Sequence, residues 1–137
     1  MFFKKYVFGD TAVYYIETPV EGHEGKTTIG LAAYPADWAL GEDANLCCDS
    51  LVQVAFTGDE GLIDYTQGVT MRNREGTLLN VESQAADENG VVTLLSDVRG
   101  NLYTHILSYS AGTGVFTVQI VYENASEEVR TLEMLES

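Results

Sequence analysis

Apolar and polar residues alternate along most of this chain, in short runs broken by turn-forming clusters. That two-residue period is the pattern of half-buried β-strands. Residues 2–8 and 12–18 are rich in aromatic and β-branched side chains, and Gly9-Asp10 between them predicts a hairpin. Residues 27–34 form a third strand after the polar turn Glu21-Gly22-His23-Glu24-Gly25. Residues 50–57 set Leu51, Val52, Val54 and Phe56 against Gln53 and Thr57, and residues 77–84 return to strand. Residues 91–98 and 102–110 are joined by Arg99-Gly100-Asn101, a second hairpin. Gly112-Thr113-Gly114 then turns the chain into residues 115–122, the most regular strand of all. There Val115, Thr117, Gln119 and Val121 point one way, and Phe116, Val118, Ile120 and Tyr122 point the other, fully apolar way. Residues 129–135 follow the turn Asn124-Ala125-Ser126-Glu127-Glu128.

About eight or nine strands at this spacing predict an all-β fold, an antiparallel β-sandwich with little or no helix, in a single domain over residues 1–137. No segment carries a sustained helical period, and no repeat or low-complexity tract interrupts the pattern. Two stretches stay irregular. Residues 35–49 form a long loop holding the only tryptophan, Trp38, with Asp37, Glu42, Asp43 and Asp49. Residues 58–76 contain four glycines. Loops of this length are uncommon in compact domains and are often functional.

Composition narrows the function classes. With 45% hydrophobic and 20% charged residues, the 137-residue chain has the make-up of a globular domain with a core of its own. Its 21 acidic and 7 basic residues give a net charge of −14. That balance opposes nucleic acid and anionic membrane surfaces, which need clustered Lys and Arg. It favours solubility, and no loop carries the EF-hand spacing that would turn the carboxylates into a calcium site. Neither a metal nor a cofactor is expected. Cys47 and Cys48 are adjacent, a spacing that strains an ordinary disulfide and differs from Cys-x-x-Cys, so both are read as thiols of a cytoplasmic protein. No apolar run reaches the ~20 residues of a membrane helix.

Chemistry is sparse. No nucleophile elbow is present, and Gly112-Thr113-Gly114 has no following helix to make it a phosphate cradle. His105 lies within a predicted strand, which favours a structural role, and His23 lies in a polar turn. Paired carboxylates are too plentiful for any spacing to mark a glycosidase pair. No catalytic residue is assigned. Trp38 beside Asp37 supports two readings: an indole that stacks on a sugar ring while the carboxylate takes hydroxyls, or an aromatic that packs the sandwich edge. Arg72 lies in Gln67-Gly68-Val69-Thr70-Met71-Arg72-Asn73, a rare cation in an acidic chain. It is either a ligand or interface group, or one half of a surface ion pair.

Four segments, in order, resemble the N-terminal β-domain of family 36 α-galactosidases. They are Lys4-Lys5-Tyr6-Val7-Phe8-Gly9 with Ala12-Val13-Tyr14-Tyr15; Asp49-Ser50-Leu51-Val52-Gln53-Val54; Gln67 to Asn73; and Glu123-Asn124 leading to Leu132-Glu133-Met134-Leu135. The resemblance implies that the chain is about the first half of a larger supersandwich, followed in the family by more β-structure and a catalytic (β/α)₈ barrel. The apolar ending Leu132, Met134, Leu135 fits a chain that continues. The parent enzyme would be a retaining glycosidase that removes terminal α-galactose from raffinose-type sugars. Its catalytic carboxylates would lie on the barrel, so this chain alone is expected to be inactive. Its implied partners are an α-galactoside sugar, the barrel and further copies in a homo-oligomer. In the family the loop before the Asp-Ser-Leu strand approaches a neighbour's active site. Here that loop carries Asp37 and Trp38 and lacks the arginine some relatives place in it, while Arg72 is expected to approach the same region. The alternative is a free-standing carbohydrate-binding sandwich with Trp38 as its platform. In a half-sandwich, the face of Phe116, Val118, Ile120 and Tyr122 would be exposed or buried in a dimer.

Overall fold

The computed structural model describes residues 2–19, 27–39, 49–56 and 79–136. These form ten strands and, among the described residues, no helix: β1 (Phe2–Phe8), β2 (Thr11–Pro19), β3 (Thr27–Pro35), β4 (Asp49–Ser50), β5 (Gln53–Phe56), β6 (Asn80–Asp87), β7 (Gly90–Ser96), β8 (Leu102–Ser110), β9 (Val115–Glu123) and β10 (Leu132–Glu136). Every described pairing is antiparallel. One sheet runs β1-β2-β3-β4, a second runs β6-β7-β8-β9, and β10 pairs with β5. The chain is an all-β antiparallel sandwich.

Local chemistry sets the hairpins. In the two-residue β1–β2 turn, Gly9 takes a φ of 58° at the first central position, as a type II′ turn requires. In the β6–β7 turn the Asp87 carboxylate accepts the Asn89 backbone N–H at 2.7 Å. In the β8–β9 turn the Ser110 carbonyl accepts from both Thr113 and Gly114.

The core lies between the sheets. Phe8, Val13, Tyr15 and Ile29 from the first sheet meet Val91, Leu95, Tyr103 and Leu107 from the second. Leu51, Val52, Val54 and Phe56 join them from the stretch that links the layers. Each such side chain stabilises the fold by about 1.5–3 kcal/mol through its removal from water. The predicted strand over residues 50–57 is interrupted, because Leu51 and Val52 are both buried in succession. Strict alternation would send one of them outward. The chain bends instead, leaving β3 after β4 and continuing with β10 in β5, as strands do when they change sheets.

β2 is buried on both of its faces. Val13 and Tyr15 point into the sandwich, and Ala12, Tyr14 and Ile16 form a second cluster with Ala32 on the other side of the sheet, against which Tyr34 and Ala36 pack. On β9, Phe116, Ile120 and Tyr122 are half-buried against the core, whereas Val118 on the same face is 43% exposed. The apolar face expected to need a cover is therefore covered only in part.

Candidate functional site at the Trp38 face

The strongest candidate surface is an aromatic row on the outer side of the first sheet. Antiparallel register sets Lys5 beside Tyr14, and Tyr14 beside Ala32, with Tyr34 opposite Ala12 one step along. The rings of Tyr14 and Tyr34 therefore meet edge to face at 6.0 Å. Lys5 Nζ lies 5.6 Å from the Tyr14 ring centroid, within cation–π range. β3 ends at Pro35, and a tight turn follows in which the Trp38 N–H donates to the Pro35 carbonyl at 3.0 Å. The Ala36 N–H donates to the Asp10 carbonyl at 2.7 Å, which ties this turn to the β1–β2 hairpin. The turn folds the indole back onto Tyr34, with centroids 4.6 Å apart.

Trp38 is 51% exposed, and Asp37 beside it is also exposed, whereas Tyr14 is buried. The arrangement gives one open aromatic surface with a rigid aromatic backing and a carboxylate next to it in the chain. Such a surface can stack against the C–H face of a pyranose while a carboxylate accepts from its hydroxyls. Sequence reasoning found Asp37 and Trp38 but not Tyr34 and Tyr14. The alternation of Tyr14 and Tyr34 against small Ala12 and Ala32 was the available signal. Arg72, His23, Cys47 and Cys48 lie outside the described residues, as do residues 40–48 of the long loop and the whole Gln67 to Asn73 segment.

Among the described residues, two further sets of polar side chains lie in the interior. His105 is fully buried on β8, opposite Thr93 of β7 and Ile120 of β9. Burial lowers its pKa to about 4, so it is neutral at physiological pH. Its Nδ1 has no hydrogen-bond partner among the described residues. Beside it, Tyr6 on β1 donates to Gln84 Oε1 at 2.9 Å, and Gln84 Nε2 donates to Thr93 Oγ1 at 2.9 Å, a polar tie between the two sheets. The Tyr15 hydroxyl is buried without a described partner, and the residue lines a recess with room for about one water between the sheets, bordered by Lys4, Glu17 and Gln84. Burial raises the Tyr15 pKa, with the neighbouring Tyr6 adding to the effect.

A second buried network closes the β7–β8 turn. Asp97 Oδ1 accepts the backbone N–H groups of Arg99 at 2.9 Å and Asn101 at 3.0 Å. Its Oδ2 accepts Asn101 Nδ2 at 3.0 Å and the Tyr103 hydroxyl at 2.9 Å. Desolvation and the adjacent Asp97 charge raise the pKa of Tyr103, and the same two causes raise that of Tyr122. This set is a turn brace whose acceptor positions are already filled from within the protein.

Among the described residues, no group of three or more His, Cys, Asp and Glu side chains converges as a metal site, and no helix is long and apolar enough to cross a membrane. No family model matches the chain, and no curated protein or solved structure matches it.

Proposed function

We propose that this chain is the N-terminal, non-catalytic β-domain of an α-galactosidase-like glycoside hydrolase. Its role is to pack on a catalytic barrel in the cytoplasm and to help shape the sugar site and the oligomer. The reading draws its main support from where the resembling segments fall. The first occupies the β1–β2 hairpin, the second the β4–β5 sheet change, and the fourth the end of β9 and β10. Each is an element that sets the sandwich framework. Neutral, buried His105 and the saturated Asp97 network are consistent with a scaffold. Purified chain is expected to leave a chromogenic α-galactoside unhydrolysed, and turnover would sink the non-catalytic role. The reading frame after Ser137 tests the family assignment: further β-structure and a (β/α)₈ barrel are expected, and an immediate stop codon counts against it.

A second reading, a free-standing carbohydrate-binding sandwich, is favoured by one observation, the open indole of Trp38 stacked on Tyr34. Calorimetry with galactose and raffinose on the wild type and on Trp38→Ala separates the two readings. Heat that disappears in the variant supports a sugar platform. No heat, or heat unchanged by the substitution, counts against it.

A further inference from the structure

The described sheet edges differ in how they are guarded against pairing with another strand. Proteins blunt exposed edges with lysines, prolines, bulges, inserted charges or very short strands. β1 carries Lys4 and Lys5. β4 is only two residues long. β6, one edge of the second sheet, has a register shift between Val81 and Ser83 and carries Glu82 and Asp87. β9, the other edge of that sheet, has none of these devices. It runs nine residues, Val-Phe-Thr-Val-Gln-Ile-Val-Tyr-Glu, without Pro, Lys or a break in register against β8. Its one charge, Glu123, stands at the end. Its core-facing side is incompletely covered, with Val118 43% exposed, and Val115 and Val121 on the opposite face are 52% and 46% exposed.

We propose that β9 is a self-association edge that pairs antiparallel with β9 of a second copy, about a two-fold axis at Gln119, to give a continuous eight-stranded sheet. The strand is self-complementary about that residue. Phe116 falls opposite the second copy's Tyr122, Val118 opposite its Ile120, Thr117 opposite its Val121, and Gln119 opposite Gln119. Side-chain alternation keeps Phe116, Val118, Ile120 and Tyr122 of both copies on one face, so the half-covered core side of each is extended by the other. Electrostatics favours this seam. Two chains of net charge −14 repel, yet the strand brings only Glu123 to the interface, and the symmetry places the two copies of Glu123 at opposite ends. A C2 axis closes the assembly at two chains, which stops the edge from templating a fibre. The inference stands on edge geometry and does not depend on the galactosidase reading.

Sedimentation velocity on the intact chain is expected to show a dimer that dissociates on dilution. Gln119→Lys sets two like charges opposite each other and is expected to raise the dimer dissociation constant about five- to tenfold. Val92→Lys, on the outer face of β7, should leave it unchanged. In a Cys47→Ser, Cys48→Ser background, Gln119→Cys should be captured as a disulfide-linked dimer by oxidised glutathione, and Val92→Cys should not. A wild type that stays monomeric at its highest soluble concentration overturns the proposal, because the edge is then unused or taken by another part of the same chain. A dimer insensitive to Gln119→Lys and not captured through position 119 overturns it equally.

Discussion

The indole of Trp38 rests on the ring of Tyr34 at a centroid distance of 4.6 Å, held there by the turn that ends β3. Because Trp38 is the only tryptophan, its emission reports on this one surface. Removing the backing with Tyr34→Ala is expected to shift the emission toward the red as the indole gains solvent. If the face takes a sugar, the same variant weakens binding by about 0.5–1.5 kcal/mol, the worth of an aromatic pair. Unchanged emission in Tyr34→Ala would show that the stack does not position the indole.

Asp97 accepts four hydrogen bonds inside the β7–β8 turn, two from backbone and two from side chains. Asp97→Ala strands the Tyr103 hydroxyl and the Asn101 amide in a buried site, and is expected to cost about 3 kcal/mol of stability. Tyr103→Phe removes one of those bonds and should cost about 1–2 kcal/mol. Urea denaturation measures both, and equal losses would contradict the network.

His105 gives the fold a defined response to acid. Its pKa is 6.5 unperturbed and about 4 in the folded chain, so between those values the unfolded chain binds the additional proton. Its contribution to stability is complete above about pH 6.5 and declines as pH falls toward 4, by roughly 3 kcal/mol in all. Carboxylate titration adds its own pH dependence, so the comparison with His105→Leu isolates the histidine. The variant should lose less stability than wild type over this range, and parallel curves would rule out a buried neutral imidazole.

Two glycines at positive φ should respond unequally to alanine. A Cβ on Gly90, at φ 152°, would collide with the Leu107 carbonyl oxygen, so β7 and β8 would have to separate. A Cβ on Gly114, at φ 68°, would meet no atom within 4 Å. Gly114→Ala is expected to cost about 1–2 kcal/mol of backbone strain. Gly90→Ala should cost more and lower the thermal midpoint further. Equal midpoints would contradict the close approach of the two strands.

Much of the framework could be read from local pattern. The alternation over residues 102–110 matches β8 to the residue, and the Gly9-Asp10 and Gly112-Thr113-Gly114 turns fall where the glycines place them. Those features are decided by chemistry within a few residues of each position. Where distant contacts compete, local pattern failed. Residues 50–57 look like one strand, but burial of both Leu51 and Val52 bends the chain between partners that are β3 on one side and β10 on the other. The candidate site divides in the same way. Trp38 and Asp37 stood out by residue type and loop position, whereas the Tyr34 backing and its contact with Tyr14 depend on the β2–β3 register.

By itself the sequence determined the all-β class, the turns of the β1–β2, β7–β8 and β8–β9 hairpins and the acidic character of the chain, because period, glycine placement and charge are properties of short segments. Only the tertiary structure decided which strands share a sheet, that His105 is held neutral in the core, and that, among the described strands, β9 forms a sheet edge without the bulge and charges that β6 carries. Each of these depends on what residues far away in the chain bring to the same place. Burial and register therefore exist only once the sheets have met.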